Sequence, residues 1–185
     1  FDLAVIKAER ERIDAYLKQR GFYYFNPDFL IVEADSTIGN HTVDLYLKVK
    51  NETPVAAREL YRVNDVFILT NYRLQDTIVT DSIKSKAEYY NGYYVLDRQK
   101  LYKPSMFETA MQFRPGDIYN QRDHNRTLSR LINLNLFRFV KNSFEPVKDK
   151  DTARLDVFYY LTPSPKKSIQ GEVNGNTKSN NLVGS

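Results

Sequence analysis

Apolar side chains between residues 3 and 20 recur at helical spacing: Leu3, Ile6, Ile13 and Leu17 share one side, while Lys7, Glu11, Asp14 and Lys18 fill the other. The spacing predicts a helix over 3–20, with Asp2 at its N-cap and Gly21 at the left-handed position that ends helices. Phe22-Tyr23-Tyr24-Phe25 follows, an aromatic run expected to pack beneath that helix. The period then shortens to two. Residues 29–34 are apolar on both faces, residues 42–50 alternate with Val43, Leu45, Leu47 and Val49 on one side, and Gly39-Asn40 between them marks a turn. Together they predict a β-hairpin.

Residues 51–54 form a short polar joint and the best candidate boundary. A second extended run covers 57–70, interrupted by Asn64-Asp65. No single period fits 71–101, but Asn91-Gly92 between Tyr89-Tyr90 and Tyr93-Tyr94 is a strong hairpin signal. Pro104 suits a first helical turn, Met106, Phe107, Ala110 and Met111 share a side, and Pro115-Gly116 ends that segment. Another helix is expected over 121–135, with Leu128, Leu131, Ile132 and Asn135 near its inner edge. Two strands follow, 137–147 and 154–162; in the second, Leu155, Val157, Tyr159 and Leu161 alternate with Asp156, Phe158 and Tyr160. The order strand, helix, helix, strand, strand describes an α+β module. Beyond Pro163, Ile169, Gly171, Val173 and Gly175 alternate with Ser168, Gln170, Glu172 and Asn174, as in a strand of a membrane barrel. The Gly, Asn and Ser content also fits a disordered polar tail, and disorder is expected of this stretch in an isolated fragment.

Composition narrows the chemistry. The 185 residues suit one ordinary domain or two small ones, and 42% hydrophobic residues suffice for a packed core. With no Cys, the chain has no disulfide, thiolate nucleophile, iron–sulfur cluster or Cys-based zinc site. No apolar run approaches the ~18 residues of a membrane-spanning helix. Phe1 stands where a complete chain would carry Met, which suggests an excerpt from a longer protein. The 27 basic and 23 acidic residues are interleaved, and the net charge of +4 is a mild bias. His41 and His124 are too far apart in sequence for a local ligand pair, and His124 is expected to be solvated or capping. Asp117 and Asp123 flank a turn and read as helix caps better than as paired catalytic carboxylates. No phosphate-binding glycine loop or serine elbow is present, so no enzyme and no cofactor is expected. A nucleic-acid reading can cite basic charge and Tyr89, Tyr90, Tyr93 and Tyr94 as stacking rings, but acidic residues interrupt the basic stretches, and no nucleic-acid partner is expected.

The module order resembles the POTRA domain, which precedes the barrel of outer-membrane assembly proteins. Arg114-Pro115-Gly116-Asp117-Ile118-Tyr119 resembles the turn between the two helices of the last such domain. Residues 127–140, from Thr127 through Leu134-Asn135-Leu136-Phe137, resemble its second helix running into the middle strand, and 155–163 resemble its last strand. Arg10-Glu11-Arg12-Ile13 followed by Gly21-Phe22-Tyr23-Tyr24-Phe25 resembles the back half of a preceding domain. The wording is closest to BamA- and TamA-like factors of the Bacteroidetes type. The resemblance implies tandem POTRA modules, each a three-stranded mixed sheet with two helices on one face. Residues 1–52 would be the back half of a truncated module, 53–163 a complete one with an insertion at 76–101, and 164–185 the start of a membrane barrel. It further implies a periplasmic location. The expected partners are unfolded or partly folded outer-membrane proteins, with accessory lipoproteins or periplasmic assembly factors, and the outer membrane reached through the barrel. A secretion or lipoprotein-export role using the same modules stays open. In such modules the middle strand lies at a sheet edge, which points to Arg138, Phe139, Val140, Lys141, Asn142, Ser143, Phe144, Glu145, Pro146 and Val147 as a docking strand for extended clients.

Overall fold

The computed structural model describes residues 2–71, 80–147 and 153–165. Helix α1 (Leu3–Lys18) starts where Asp2 Oδ1 accepts from the Ala4 N–H at 2.8 Å. It ends as Arg20 and Phe22 both donate to the Leu17 carbonyl and Gly21 turns left-handed at φ +101°. A 3₁₀ turn (Pro27–Phe29) leads into the antiparallel hairpin β1 (Leu30–Asp35) and β2 (Asp44–Val49). Its register, Leu30 opposite Val49 and Val32 opposite Leu47, places the expected apolar side chains on one face. Only Leu30 is buried, and β2 is exposed throughout. Alternation sets the apolar face, but among the described residues too little lies over the hairpin to cover it.

The aromatic run divides. Phe25 is buried in its own unit, edge-on to Phe29. Tyr23 packs against Tyr119 and Phe144 and Tyr24 against Tyr61, so the run is not a single strip beneath the helix as expected. The left-handed turn at Gly21 redirects the chain, and the Gly21 carbonyl accepts from the Tyr61 N–H at 2.8 Å. No Cβ would fit there: it would meet Leu60 Cγ at 2.8 Å and Ile118 Cγ2 at 2.9 Å.

The short helix α2 (Val55–Arg58) precedes β3 (Arg62–Thr70). Helix α3 (Thr80–Lys84) is followed by β4 (Glu88–Tyr90) and β5 (Tyr93–Leu96), joined by Asn91 (φ 41°) and Gly92 (φ 92°) in the two-residue turn that the sequence signals. A 3₁₀ turn (Pro104–Phe107), helix α4 (Gln121–Asn133), and strands β6 (Phe137–Pro146) and β7 (Arg154–Pro163) complete the order. Strands β3, β6 and β7 form the expected mixed sheet. Strands β4 and β5 widen it to five strands in the order β4-β5-β3-β7-β6, with β3 parallel to both β5 and β7. The helix expected after Pro104 is a 3₁₀ turn instead: Ala110 and Met111 both donate to the Phe107 carbonyl, and the Gln112 N–H turns to Thr127 Oγ1 on α4. A tertiary bond replaces the next helical one. Helix α4 is capped by Asn120 and stops two residues early, because Asn135 is left-handed at φ 54°.

Both faces of the sheet are buried over β3, β5 and β7, while the β6 side chains on the second face stay partly or fully exposed. On one, Val63, Ile68, Tyr93, Val95, Leu155, Val157, Tyr159 and Leu161 meet Phe107, Phe113 and Leu131. On the other, Phe67, Leu69, Phe158 and Tyr160 meet Ile83 of α3. Asn64-Asp65, the interruption in the extended run, is a bulge: two residues stand against Asp156 alone, whose carboxylate accepts from Asn64 Nδ2 at 2.8 Å and the Asp65 N–H at 3.2 Å. The expected barrel-entry alternation at 168–175 lies outside the described residues.

Candidate protein-docking edge

Strand β6 lies at one edge of the five-stranded sheet, bonded to β7 alone. Which of its backbone groups face outward follows from the register. The Val147 N–H donates to the Arg154 carbonyl at 3.0 Å, and the pairing runs from there through Glu145–Asp156, Ser143–Phe158 and Lys141–Tyr160. In an antiparallel ladder, every second residue exchanges both bonds with its partner, and the residues between point both groups the other way. Lys141, Ser143 and Glu145 therefore spend their N–H and C=O groups on β7, and Val147 its N–H. Val140, Asn142 and Phe144 aim theirs out of the sheet, and no backbone or side-chain partner meets them among the described residues. Pro146 falls in the same outward set, where its missing N–H costs the ladder nothing. The parity agrees on β7, whose neighbour Ala153 turns its carbonyl the other way, to the Arg62 N–H on β3.

Side chains divide by the same parity. Val140 and Phe144 face the α4 side and join its core. Phe139, Lys141, Ser143 and Glu145 fall on the opposite face. A bulge between Phe137 and Phe139 makes Arg138 the extra residue and ends the regular ladder, with Arg138 Cζ 5.1 Å from the centre of the Phe139 ring. Phe139 is 59% exposed. Of the ten residues the sequence singles out, three offer a free donor and acceptor together, and the rest supply ladder bonds, side-chain rows or the ends of the strip.

Phe144 is fixed by an aromatic cluster. Its ring meets Tyr23 at 5.2 Å, Tyr119 at 5.3 Å, His124 at 5.0 Å and Phe113 at 6.2 Å. Burial holds the Tyr119 hydroxyl in its neutral form well above the usual phenol range and pushes the His124 imidazole below its ordinary value. His124 is thus neither solvated nor a cap: it is half-buried and edge-on to Phe144, and its Nδ1 has no hydrogen-bond partner among the described residues. Asp117 closes the 114–117 turn by accepting from the Arg114 N–H at 2.7 Å, and Asp123 pairs with Arg126 at 3.5 Å within the first turn of α4. The helix cap is Asn120, so neither Asp has that role. His41 is exposed in the β1–β2 connection. Among the described residues, no three His, Asp or Glu side chains gather as a metal site would require, and no helix is long and apolar enough to cross a membrane.

The opposite edge differs. Strand β4 is three residues long, and its tight turn makes Tyr90–Tyr93 the closing bonded pair, so Tyr89 alone aims its backbone outward. Tyr90 Oη and Asn91 Nδ2 both donate to the Glu108 carboxylate, at 3.1 and 2.7 Å. One edge of the sheet is short and tied down, and the other is ten residues long.

By sequence, neither a protein-family model nor a curated protein matches the chain. By structure, it superposes on the crystal structure of BamA from Haemophilus ducreyi lacking POTRA domains 1–3, with a TM-score of 0.52 and 15% identity over 89% of this chain and 24% of that one. The fold is a POTRA fold. POTRA3-5 of BamA from Haemophilus influenzae aligns over 88% of this chain and 49% of that one, at 18% identity and a TM-score of 0.48. POTRA1-3 of the periplasmic domain of Omp85 from Anabaena aligns at 13% identity and a TM-score of 0.43, over 89% and 52%. The chain spans about half, or less, of the length of these structures. Within the POTRA fold, the five-stranded width comes from β4 and β5, a signal present in the sequence as Asn91-Gly92 but placed in the sheet only by tertiary pairing.

Proposed function

We propose that this chain is a periplasmic docking portion of an outer-membrane assembly factor, taking up extended segments of unfolded outer-membrane proteins by strand addition on β6. The observation that carries the reading is the row of outward N–H and C=O groups at Val140, Asn142 and Phe144, on the one long open edge of a POTRA-type sheet whose central strands are covered on both faces. Backbone bonding suits clients of varied sequence, because each residue offers the same donor and acceptor. The free energy of delivery comes from the client's own folding and membrane burial, so the module needs no catalytic step and no cofactor. In this reading, 1–52 is the back half of one POTRA module and 53–163 a second, with 76–101 as its insertion and 164–185 leading toward a barrel. Accessory lipoproteins and periplasmic assembly factors are further partners of such a module.

Two substitutions one residue apart test it. Asn142→Pro removes an outward N–H and leaves the β6–β7 ladder complete, whereas Ser143→Pro removes a ladder bond. In the full-length protein reconstituted in liposomes, Asn142→Pro is expected to keep the wild-type melting temperature and lose most client insertion. Ser143→Pro is expected to lower the melting temperature. Wild-type insertion by a folded Asn142→Pro protein would rule out strand addition at this edge.

A further inference from the structure

The outer row of β6 gives the docking edge a polarity, which deepens the strand-addition reading and rests on it. An added antiparallel strand would form its bonded pairs at Val140, Asn142 and Phe144. The residues between, Phe139, Lys141, Ser143 and Glu145, would then stand in the non-bonded pairs, where opposing Cα atoms approach to about 4.5 Å and side chains are closest. Phe139, Lys141, Ser143 and Glu145 lie on the face away from α4, so their side chains form the row an incoming strand reads. Lys141 and Glu145 are exposed and make no ion pair with one another or with other described residues. Their opposite charges, four residues apart, make the row asymmetric from end to end. Phe139 adds an exposed ring at the Lys141 end. The ladder also has defined ends: the bulge at Arg138 on one side, and Pro146, which accepts but cannot donate, on the other.

We infer that β6 selects antiparallel client segments of one charge order. Read from its N-terminus, the segment carries a basic residue opposite Glu145, a small polar residue opposite Ser143, an acidic residue opposite Lys141 and an aromatic residue opposite Phe139, at alternate positions. The residues between face the α4 side and are apolar or small, because Val140 and Phe144 lie there. Antiparallel addition is preferred over parallel because its bonds are straighter and its pairs slightly more stable per residue. A segment with the two charges exchanged places like against like at both close positions. Cross-strand charge pairs are each worth up to about five-fold in affinity, so the exchange is expected to weaken binding about ten-fold at low salt.

The test uses two fluorescein-labelled peptides of identical composition that differ only in exchange of the basic and acidic residues, titrated against the chain by fluorescence anisotropy. The forward peptide is expected to bind about ten-fold tighter than the exchanged one. The double variant Lys141→Glu/Glu145→Lys is expected to reverse that preference, and Asn142→Pro to weaken both peptides. Equal binding of the two peptides, with both still lost in Asn142→Pro, would overturn the charge order and leave strand addition standing. Binding that ignores Asn142→Pro, or no binding of either peptide at millimolar concentration, would overturn both.

Discussion

His124 shows what a neighbour does to a residue whose type alone suggests solvent. Burial against Phe144 disfavours its cation and lowers its pKa in the folded chain. The unfolded chain therefore binds the proton more readily, and the contribution of neutral His124 to stability is full above its ordinary value of 6.5 and is lost as pH falls through the folded pKa. Urea unfolding followed from neutral to mildly acidic pH is expected to show falling stability, with a shallower fall in His124→Gln. Equal slopes would mean that the imidazole does not sense folding. Asp156 has the opposite sign, since desolvation raises its pKa although Asn64 and the Asp65 N–H hold its carboxylate. Its contribution is full while it is protonated in both states and is lost as pH rises from the ordinary carboxylate range through the raised value. Neither shift was legible in the sequence, because burial is set by residues remote along the chain.

Strand β7 illustrates the same limit at the scale of an element. Its sequence alternates Leu155, Val157, Tyr159 and Leu161 with Asp156, Phe158 and Tyr160, and the resemblance to a POTRA module implies helices on one face. Phe158 is instead fully buried on the second face, stacked on Phe67 with ring centres 4.9 Å apart and 13° between planes. Helix α3 completes that face through Ile83, and Lys84 reaches Asp65 at 2.6 Å. Phe158→Ala is expected to cost about 3–5 kcal/mol, as for a fully buried aromatic, and not the few tenths expected of a solvent-facing position. Chemical denaturation of the chain measures the difference directly. A cost below about 1 kcal/mol would mean that the second face is not a packed core. The hairpin β4–β5 was legible because Asn91-Gly92 sets a local turn. Its place beside β3 was not, because parallel pairing joins residues that share no local signal.

Across the whole molecule, the α1 unit and the five-stranded sheet meet at Gly21, Tyr23 and Tyr24. Tyr23 is edge-on to Tyr119 at 4.9 Å and touches Phe144, so the docking strand and the preceding unit share one aromatic cluster. Gly21→Ala would set a Cβ against Leu60 and Ile118 at a left-handed backbone position. It is expected to destabilise the chain by about 1–3 kcal/mol and to broaden the distance distribution between spin labels at Tyr46 on β2 and Tyr89 on β4. An unchanged distribution would mean that the joint does not depend on this close approach. The sequence by itself determined the first helix and its caps, both hairpins, the strand pair β6–β7 and the resemblance to a POTRA module. Each is written in local spacing or in residue types with a local backbone preference. Only the tertiary structure decided that β4 and β5 widen the sheet, that its central strands are buried on both faces, that the aromatic run bridges two units, and that Val140, Asn142 and Phe144 are the open rungs of β6. Those outcomes depend on register and on contacts between distant residues: shifting β6 against β7 by one residue would turn its other backbone groups outward and leave its sequence unchanged.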